Sequence, residues 1–293
     1  MLTPIPPAGG AFSFAMAPSI NSLVWATDID VLAPDHTAER RDGYWVVQSP
    51  RNPTYWWGNF LLFDDAPGDG DGERWEALFV EEFLARPDVT HRTFAWDRVD
   101  REPGAAEQEF VARGYELEWT SGLVAEAQRL TRHPAANREV EIRALDPEGD
   151  ERLWAAVLDV QMATAVEVGR DLEAEYHLTF LRRRQQELRE IFGSGRGSWY
   201  VALLDGVVAG SLGIVVTETR ARYQSVDTVA EYRRRGIARR LVAEAAHDAC
   251  SKHAIDHFVI AADPDYHAIG IYEGLGFERV ESVVGAMRKP GGS

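Results

Sequence analysis

Two apolar, β-rich runs, Trp199 to Leu204 and Val207 to Val216, are separated only by the dipeptide Asp205-Gly206. Asp-Gly supplies the two positive φ angles of a tight hairpin, so this part of the chain is committed to an antiparallel sheet. The flanking patterns extend it. Glu139 to Ala144 alternates Val140, Ile142 and Ala144 with charge, the period of a half-buried strand. Trp154, Val157, Leu158, Gln161 and Met162 recur at helical spacing up to about Gly169, and Leu178, Leu181, Gln185 and Leu188 resume it to Gly193. Arg220 to Val229 reads as a strand, and Ile237, Leu241, Val242, Ala245, Ala246 and Ala249 trace one helix face. His257 to Ala262 is a buried-type strand, Tyr266 to Leu275 a short helix, and two final strands are expected around Phe277 and Val283. The order is β-α-α-β-β-β-α-β-α-β-β.

At 293 residues, 45% hydrophobic, the chain is long enough for two packed domains. The polar stretch from Glu126 to Arg138, with Pro134 disfavouring helix at His133, sets the expected boundary, giving domains 1–135 and 136–293. The formal net charge is -16, which repels nucleic acid and anionic lipid, so neither is an expected partner. A single cysteine, Cys250, allows no intramolecular disulfide and fits a reducing, cytoplasmic setting; it reads as a small buried side chain on its helix. The first twenty residues lack a basic segment, and no run of about 18 apolar residues occurs, so neither secretion nor membrane spanning is indicated.

Against this acidic background stands Arg233-Arg234-Arg235-Gly236-Ile237-Ala238-Arg239-Arg240. A glycine where strand turns into helix lets consecutive N–H groups converge on one anion, and the helix N-terminus adds its positive dipole end. Since only two of the 31 basic residues are lysines, any one arginine here also reads as general usage; five in eight residues is a pattern.

At these residues the sequence resembles the GNAT superfamily of acyl-CoA-dependent N-acyltransferases. Arg233-Arg234-Arg235-Gly236-Ile237-Ala238 matches its pyrophosphate loop, Arg/Gln-x-x-Gly-x-Gly/Ala, and Ile271-Tyr272-Glu273-Gly274-Leu275-Gly276-Phe277 is similar to its Leu-Tyr-x-x-x-Gly-Phe. The resemblance spans about residues 138 to 288. Ala230 departs from a frequent proline, and Asp265 from a frequent asparagine.

What the resemblance implies is an α/β (α+β) fold of two GNAT-like domains, each a mixed, mostly antiparallel twisted sheet flanked by helices. It further implies acetyl-CoA as co-substrate, with Arg233, Arg234, Arg235, Gly236, Ile237, Ala238 and Arg239 on its phosphates and Val226, Thr228 and Asp265 along its pantetheine arm. Tyr272 would be the general acid, or else an aromatic plug between helix and sheet. Asp227 is a candidate base provided strand alternation leaves it facing the cleft. Glu167, Glu173 and Glu175 are acceptor-side candidates or ordinary helix-surface charge. No metal is expected: His253 and His257 lack a third ligand.

The N-terminal half repeats the pattern in degenerate form. Phe110-Val111-Ala112-Arg113-Gly114-Tyr115-Glu116 has the spacing of Tyr272 to Glu278, and His91 to Trp96 parallels His257 to Ala262. Tyr44 to Gln48 and Trp57 to Phe63 read as strands and Trp75 to Ala85 as a helix. Asp64 to Gly72, acidic and glycine-rich, replaces the arginine loop, and Phe110 replaces the phenol. The cluster Tyr44, Trp45, Tyr55, Trp56, Trp57 and Trp75 serves core packing or an aromatic acceptor pocket. The expected activity is N-acetyl transfer to a small-molecule or peptide amine, with a cationic acceptor favoured by the acidic surface. A non-catalytic acyl-CoA sensor or scaffold is the alternative.

Overall fold

The computed structural model describes residues 20–100, 104–167, 174–265 and 268–290. The N-terminal half runs α1 (Leu23–Asp30), β1 (Thr37–Arg40), β2 (Tyr44–Gln48), β3 (Phe60–Phe63), α2 (Asp71–Glu82), β4 (Arg92–Trp96), α3 (Ala105–Ala112) and β5 (Glu116–Glu126). The C-terminal half runs β6 (Glu141–Ala144), α4 (Glu151–Glu167), α5 (Ala174–Gly193), β7 (Gly197–Leu204), β8 (Val207–Thr217), β9 (Arg220–Thr228), α6 (Ile237–Lys252), β10 (His257–Ala262), α7 (Ile269–Glu273) and β11 (Glu278–Arg288).

All eleven strands form one sheet in the order β1-β2-β3-β4-β11-β5-β10-β9-β8-β7-β6. Pairing is antiparallel except at β3/β4 and β9/β10, one parallel pair in each half. The expected mixed, mostly antiparallel α/β architecture flanked by helices is what the chain forms, but as one sheet running through both halves where a separate sheet in each was expected. The halves exchange their last strands: β11 pairs with β4, and β5 pairs with β10. The two exchanged strands also pair with each other, from Glu278↔Val124 to Met287↔Glu116. Each half therefore completes the other's sheet.

Helices cover both faces because residues alternate along each strand. In β7, Tyr200 and Ala202 enter the core under α6 and α7, while Trp199 and Val201 pack against Trp154 and Ile191 of α4 and α5. In the other half, Phe63 and Phe94 pack under α2 and α3 with Trp75, Phe79 and Phe110, while Leu62 and Ala95 meet Trp25 of α1. The Asp205-Gly206 turn has φ of 51° and 79°, the conformation its sequence demands.

Several local expectations change. The two final strands are one, β11, with a register shift between Arg279 and Glu281. Trp56–Gly58 is a single 3-10 turn, and the strand begins only at Phe60. Cys250 is exposed, because the buried stripe of α6 passes through Ala249 beside it. The expected residues Glu173 and Tyr266 lie outside the described residues. Helix α1 and strand β1 were not anticipated. Helix α1 is held from a distance: the Asp97 carboxylate accepts from the Asn21 and Ser22 N–H groups at 2.6 and 2.7 Å, and Glu281 accepts from Val24 N–H at 2.6 Å and the Ser22 hydroxyl at 3.0 Å.

Candidate functional site

The parallel pair β9/β10 pairs only from His257↔Arg220 to Val259↔Arg222, and beyond that the strands part. Strand β9 carries one extra residue against β8 between Asp227 and Gln224, and Ser225 there takes a φ of 41°. Such a bulge resets the alternation of side chains. Tyr223 points into the α6 core, its hydroxyl donating to the Val242 carbonyl at 2.9 Å, and after the bulge Val226 and Thr228 take that side.

A cavity of about 490 Å³ opens there, lined by Val226, Thr228, Arg233, Arg234, Gly236, Ile237, Ala238, Arg239 and Tyr272 among others. Three of the residues that the resemblance assigned to the cofactor or to catalysis fall outside it, as do the acceptor-side candidates Glu167 and Glu175. Asp227 sits between Val226 and Thr228 on the strand and lines neither this cavity nor the second one described below. Arg235 turns outward to Glu139 at 3.2 Å. Asp265 lines the second cavity.

The loop's shape follows from its backbone. Arg234 and Gly236 have φ of 59° and 75°, and left-handed residues in such a turn curl successive N–H groups into a concave nest. Gly236 is the N-cap of α6 and provides no side-chain acceptor, so the first-turn N–H groups have no partner within the helix. Glycine is required twice over. Its φ is left-handed, and a Cβ would stand 2.0 Å from the Ala135 carbonyl oxygen. The segment joining the halves buttresses the loop from behind: Asn137 N–H donates to Gly236 O and its side-chain amide to Arg235 O, both at 3.0 Å.

Positive charge is held in place at the cavity. Arg233 Nε donates to the Thr228 carbonyl at 3.0 Å, and its guanidinium pairs with Glu167 of α4. Arg239 Nε is buried without a hydrogen-bond partner among the described residues. A cavity with an open helix N-terminus and an unsatisfied guanidinium nitrogen suits a polyanion such as the diphosphate of a nucleotide. Tyr272, 5% exposed, lines it from α7, its ring 6.1 Å from that of Phe277.

A second cavity, of about 540 Å³, opens against the same parting strands on the side that carries α1 and shares no lining residue with the first. Here Arg222 pairs with Asp28 at 3.0 Å. Burial pushes the Asp28 carboxyl above its ordinary range, against the pull of the Arg222 charge. Tyr55 and Trp57, members of the aromatic cluster that the sequence offered for core packing or an acceptor pocket, line this cavity from the N-terminal half, together with Glu118 and Trp119, to which the sequence assigned no role. Among the described residues no group of three or more His, Cys, Asp or Glu is arranged to hold a metal, and no helix is long and apolar enough to cross a membrane.

Comparison with known proteins bears on this geometry. A conserved protein of unknown function from Staphylococcus epidermidis superposes with a TM-score of 0.71 at 15% identity, covering 87% of this chain and 95% of that one. A GCN5-related N-acetyltransferase from Kribbella flavida superposes at 0.63 and 15% identity, covering 94% and 98%. A tandem GNAT protein from the clavulanic acid biosynthesis pathway gives 0.54 and 16%, covering 89% and 85%. At such identities the likeness is one of fold. A search of curated protein sequences finds no match. Residues 165–277, which include the arginine loop and Tyr272, match the model of the Acetyltransferase (GNAT) family. Over that stretch the chain is similar to the GNAT acetyltransferase family.

Proposed function

We propose that the C-terminal half transfers an acetyl group from acetyl-CoA to a primary amine by direct attack, and that the N-terminal half is a degenerate copy that binds no CoA. One observation carries the reading: an uncapped, arginine-bearing helix N-terminus and a buried tyrosine line the same cavity where two parallel strands part.

Acetyl-CoA supplies the activated thioester. The loop N–H groups with Arg234 and Arg239 bind its phosphates, and the edge of β9 at Val226 and Thr228, left without β10, offers backbone groups to the amide-bearing arm. Tyr272 delivers a proton to the departing thiolate. The amine must first lose its own proton, since a lysine-type amine has a pKa of roughly 10.4. That step is not assigned to Asp227, which lines neither cavity.

The test is thiol release from acetyl-CoA with a panel of amines. Tyr272→Phe keeps the ring, so CoA affinity should stay within about threefold while turnover falls by roughly a hundredfold, the scale of a lost general acid. Unchanged turnover would make Tyr272 a packing residue.

A further inference from the structure

We propose that the second cavity is the acceptor site, that the N-terminal half builds one of its walls, and that it takes a cationic amine with a flat apolar body. The proposal rests on the acyl-transfer reading above and adds the substrate class.

Position is the first argument. Residues 222–225 of β9 and 261–265 at the end of β10 line the second cavity, while Val226 and Thr228 line the first. The two cavities therefore adjoin along the parting strands, where a nucleophile in one meets an acyl group held in the other. The volume, about 540 Å³, is within the range of about 300 to 1,000 Å³ usual for small-molecule sites.

Charge is the second. Asp28, Glu118, Asp263 and Asp265 line the cavity, and the basic residue among them, Arg222, is paired with Asp28 at 3.0 Å. With four carboxylates to one guanidinium, the lining carries more negative than positive charge, which favours a cation.

Aromatic shape is the third. Trp57 Nε1 donates to Glu118 at 3.1 Å, fixing a carboxylate against an indole, and Trp119 is the next residue on β5. A carboxylate beside aromatic faces is a cation-binding arrangement. A narrower cavity of about 130 Å³, which shares Tyr55, Gln224 and Ser225 with this one, is walled by Trp154, Phe180 and Trp199 and gives room for an apolar group. Glu118 and Trp119 reach the site only because β5 crosses to pair with β10. The strand exchange thus has a chemical consequence: the half without an arginine loop supplies part of the acceptor wall.

The experiment uses the full chain. Phenethylamine and the zwitterionic 4-(aminomethyl)benzoate are titrated into the protein saturated with CoA, and both are also tested as acceptors with acetyl-CoA. Phenethylamine should bind at least tenfold tighter than the benzoate, and Glu118→Gln, which keeps a hydrogen-bond acceptor for Trp57, should weaken it at least tenfold with CoA affinity unchanged. Binding with that pattern but no thiol release would uphold the cavity assignment and defeat acyl transfer to this class. Thiol release with amines whose affinity ignores both charge and Glu118 would uphold acyl transfer and overturn the acceptor site.

Discussion

The two parallel strand pairs, β3/β4 and β9/β10, occupy corresponding places in the two halves and end in opposite ways. In the C-terminal pair the ladder stops at Arg222↔Val259 and a cavity opens. In the N-terminal pair the ladder runs through Phe63↔Trp96, and Asp97 N–H continues it to the Phe63 carbonyl at 2.7 Å. Trp75 then stacks on Phe63 with ring centroids 3.7 Å apart, and Phe110 packs 5.5 Å from Trp75. The helix N-terminus that follows is also different in its content. Both α2 and α6 are capped by a left-handed glycine, Gly70 at 80° and Gly236 at 75°. At α2, however, the Asp71 carboxylate accepts from Gly68 N–H at 2.8 Å, so an internal anion stands near the place a phosphate would take. One backbone plan thus gives a cleft or a closed core, according to whether the strands part and whether the loop carries its own negative charge.

The coupling between the halves can be broken at one residue. Glu281, 8% exposed on β11, caps α1 through the Ser22 hydroxyl and the Leu23 and Val24 N–H groups, and its loss leaves those donors buried without partners. Glu281→Ala should lower stability by about 4 kcal/mol, from a lost charged cap plus unmade hydrogen bonds. Denaturant melts followed by tryptophan fluorescence and by far-UV dichroism check it; a loss under about 1 kcal/mol would show that the exchanged strands hold α1 weakly.

The closed N-terminal core carries an acid-sensitive group. His91 is 1% exposed, with Nε2 3.2 Å from the Asn59 carbonyl, and burial pushes its pKa down to about 4 from the ordinary 6.5. Below pH 6.5 the unfolded chain takes up a proton that the native chain refuses until about pH 4. Stability is therefore intact above 6.5 and falls by about 3 kcal/mol between 6.5 and 4. His91→Gln, which retains a donor to Asn59, should flatten that part of the stability profile; an unchanged slope would place the acid sensitivity elsewhere.

A matched pair of glycine substitutions sharpens the comparison of the loops. At Gly236 an added Cβ meets the Ala135 carbonyl at 2.0 Å, whereas at Gly70 it meets nothing within 4 Å. Gly236→Ala should reduce CoA affinity by at least a hundredfold, about 2.7 kcal/mol. Gly70→Ala should leave CoA binding unchanged and cost only the left-handed strain, about 1 kcal/mol. Equal effects on CoA binding would mean that the two loops are not functionally distinct.

How much of this was legible in the sequence depended on the range of the interaction. The hairpin at Asp205-Gly206, helix α6 and the arginine loop are local in origin, and each formed where its residues indicated. Helix α1 escaped notice because its capping carboxylates come from residues 75 and 259 positions away. The strand exchange was hidden for a related reason. Strands β5 and β11 both run eleven residues, and nothing in either pattern says which parallel pair it will join. Asp227 illustrates a third limit: its orientation hung on strand alternation, and the bulge at Ser225, two residues before it, resets that alternation.

The central claim is one nucleotide site per chain, in the cleft between β9 and β10. Calorimetric titration of the full chain with CoA tests it most directly. The account predicts one equivalent of CoA bound, with affinity reduced at least tenfold when Arg234 and Arg239, which line the cavity, are both replaced by alanine, since hydrogen bonds to charged groups contribute roughly 1.5 to 3 kcal/mol each. Two equivalent sites, or an affinity indifferent to those arginines, would contradict it.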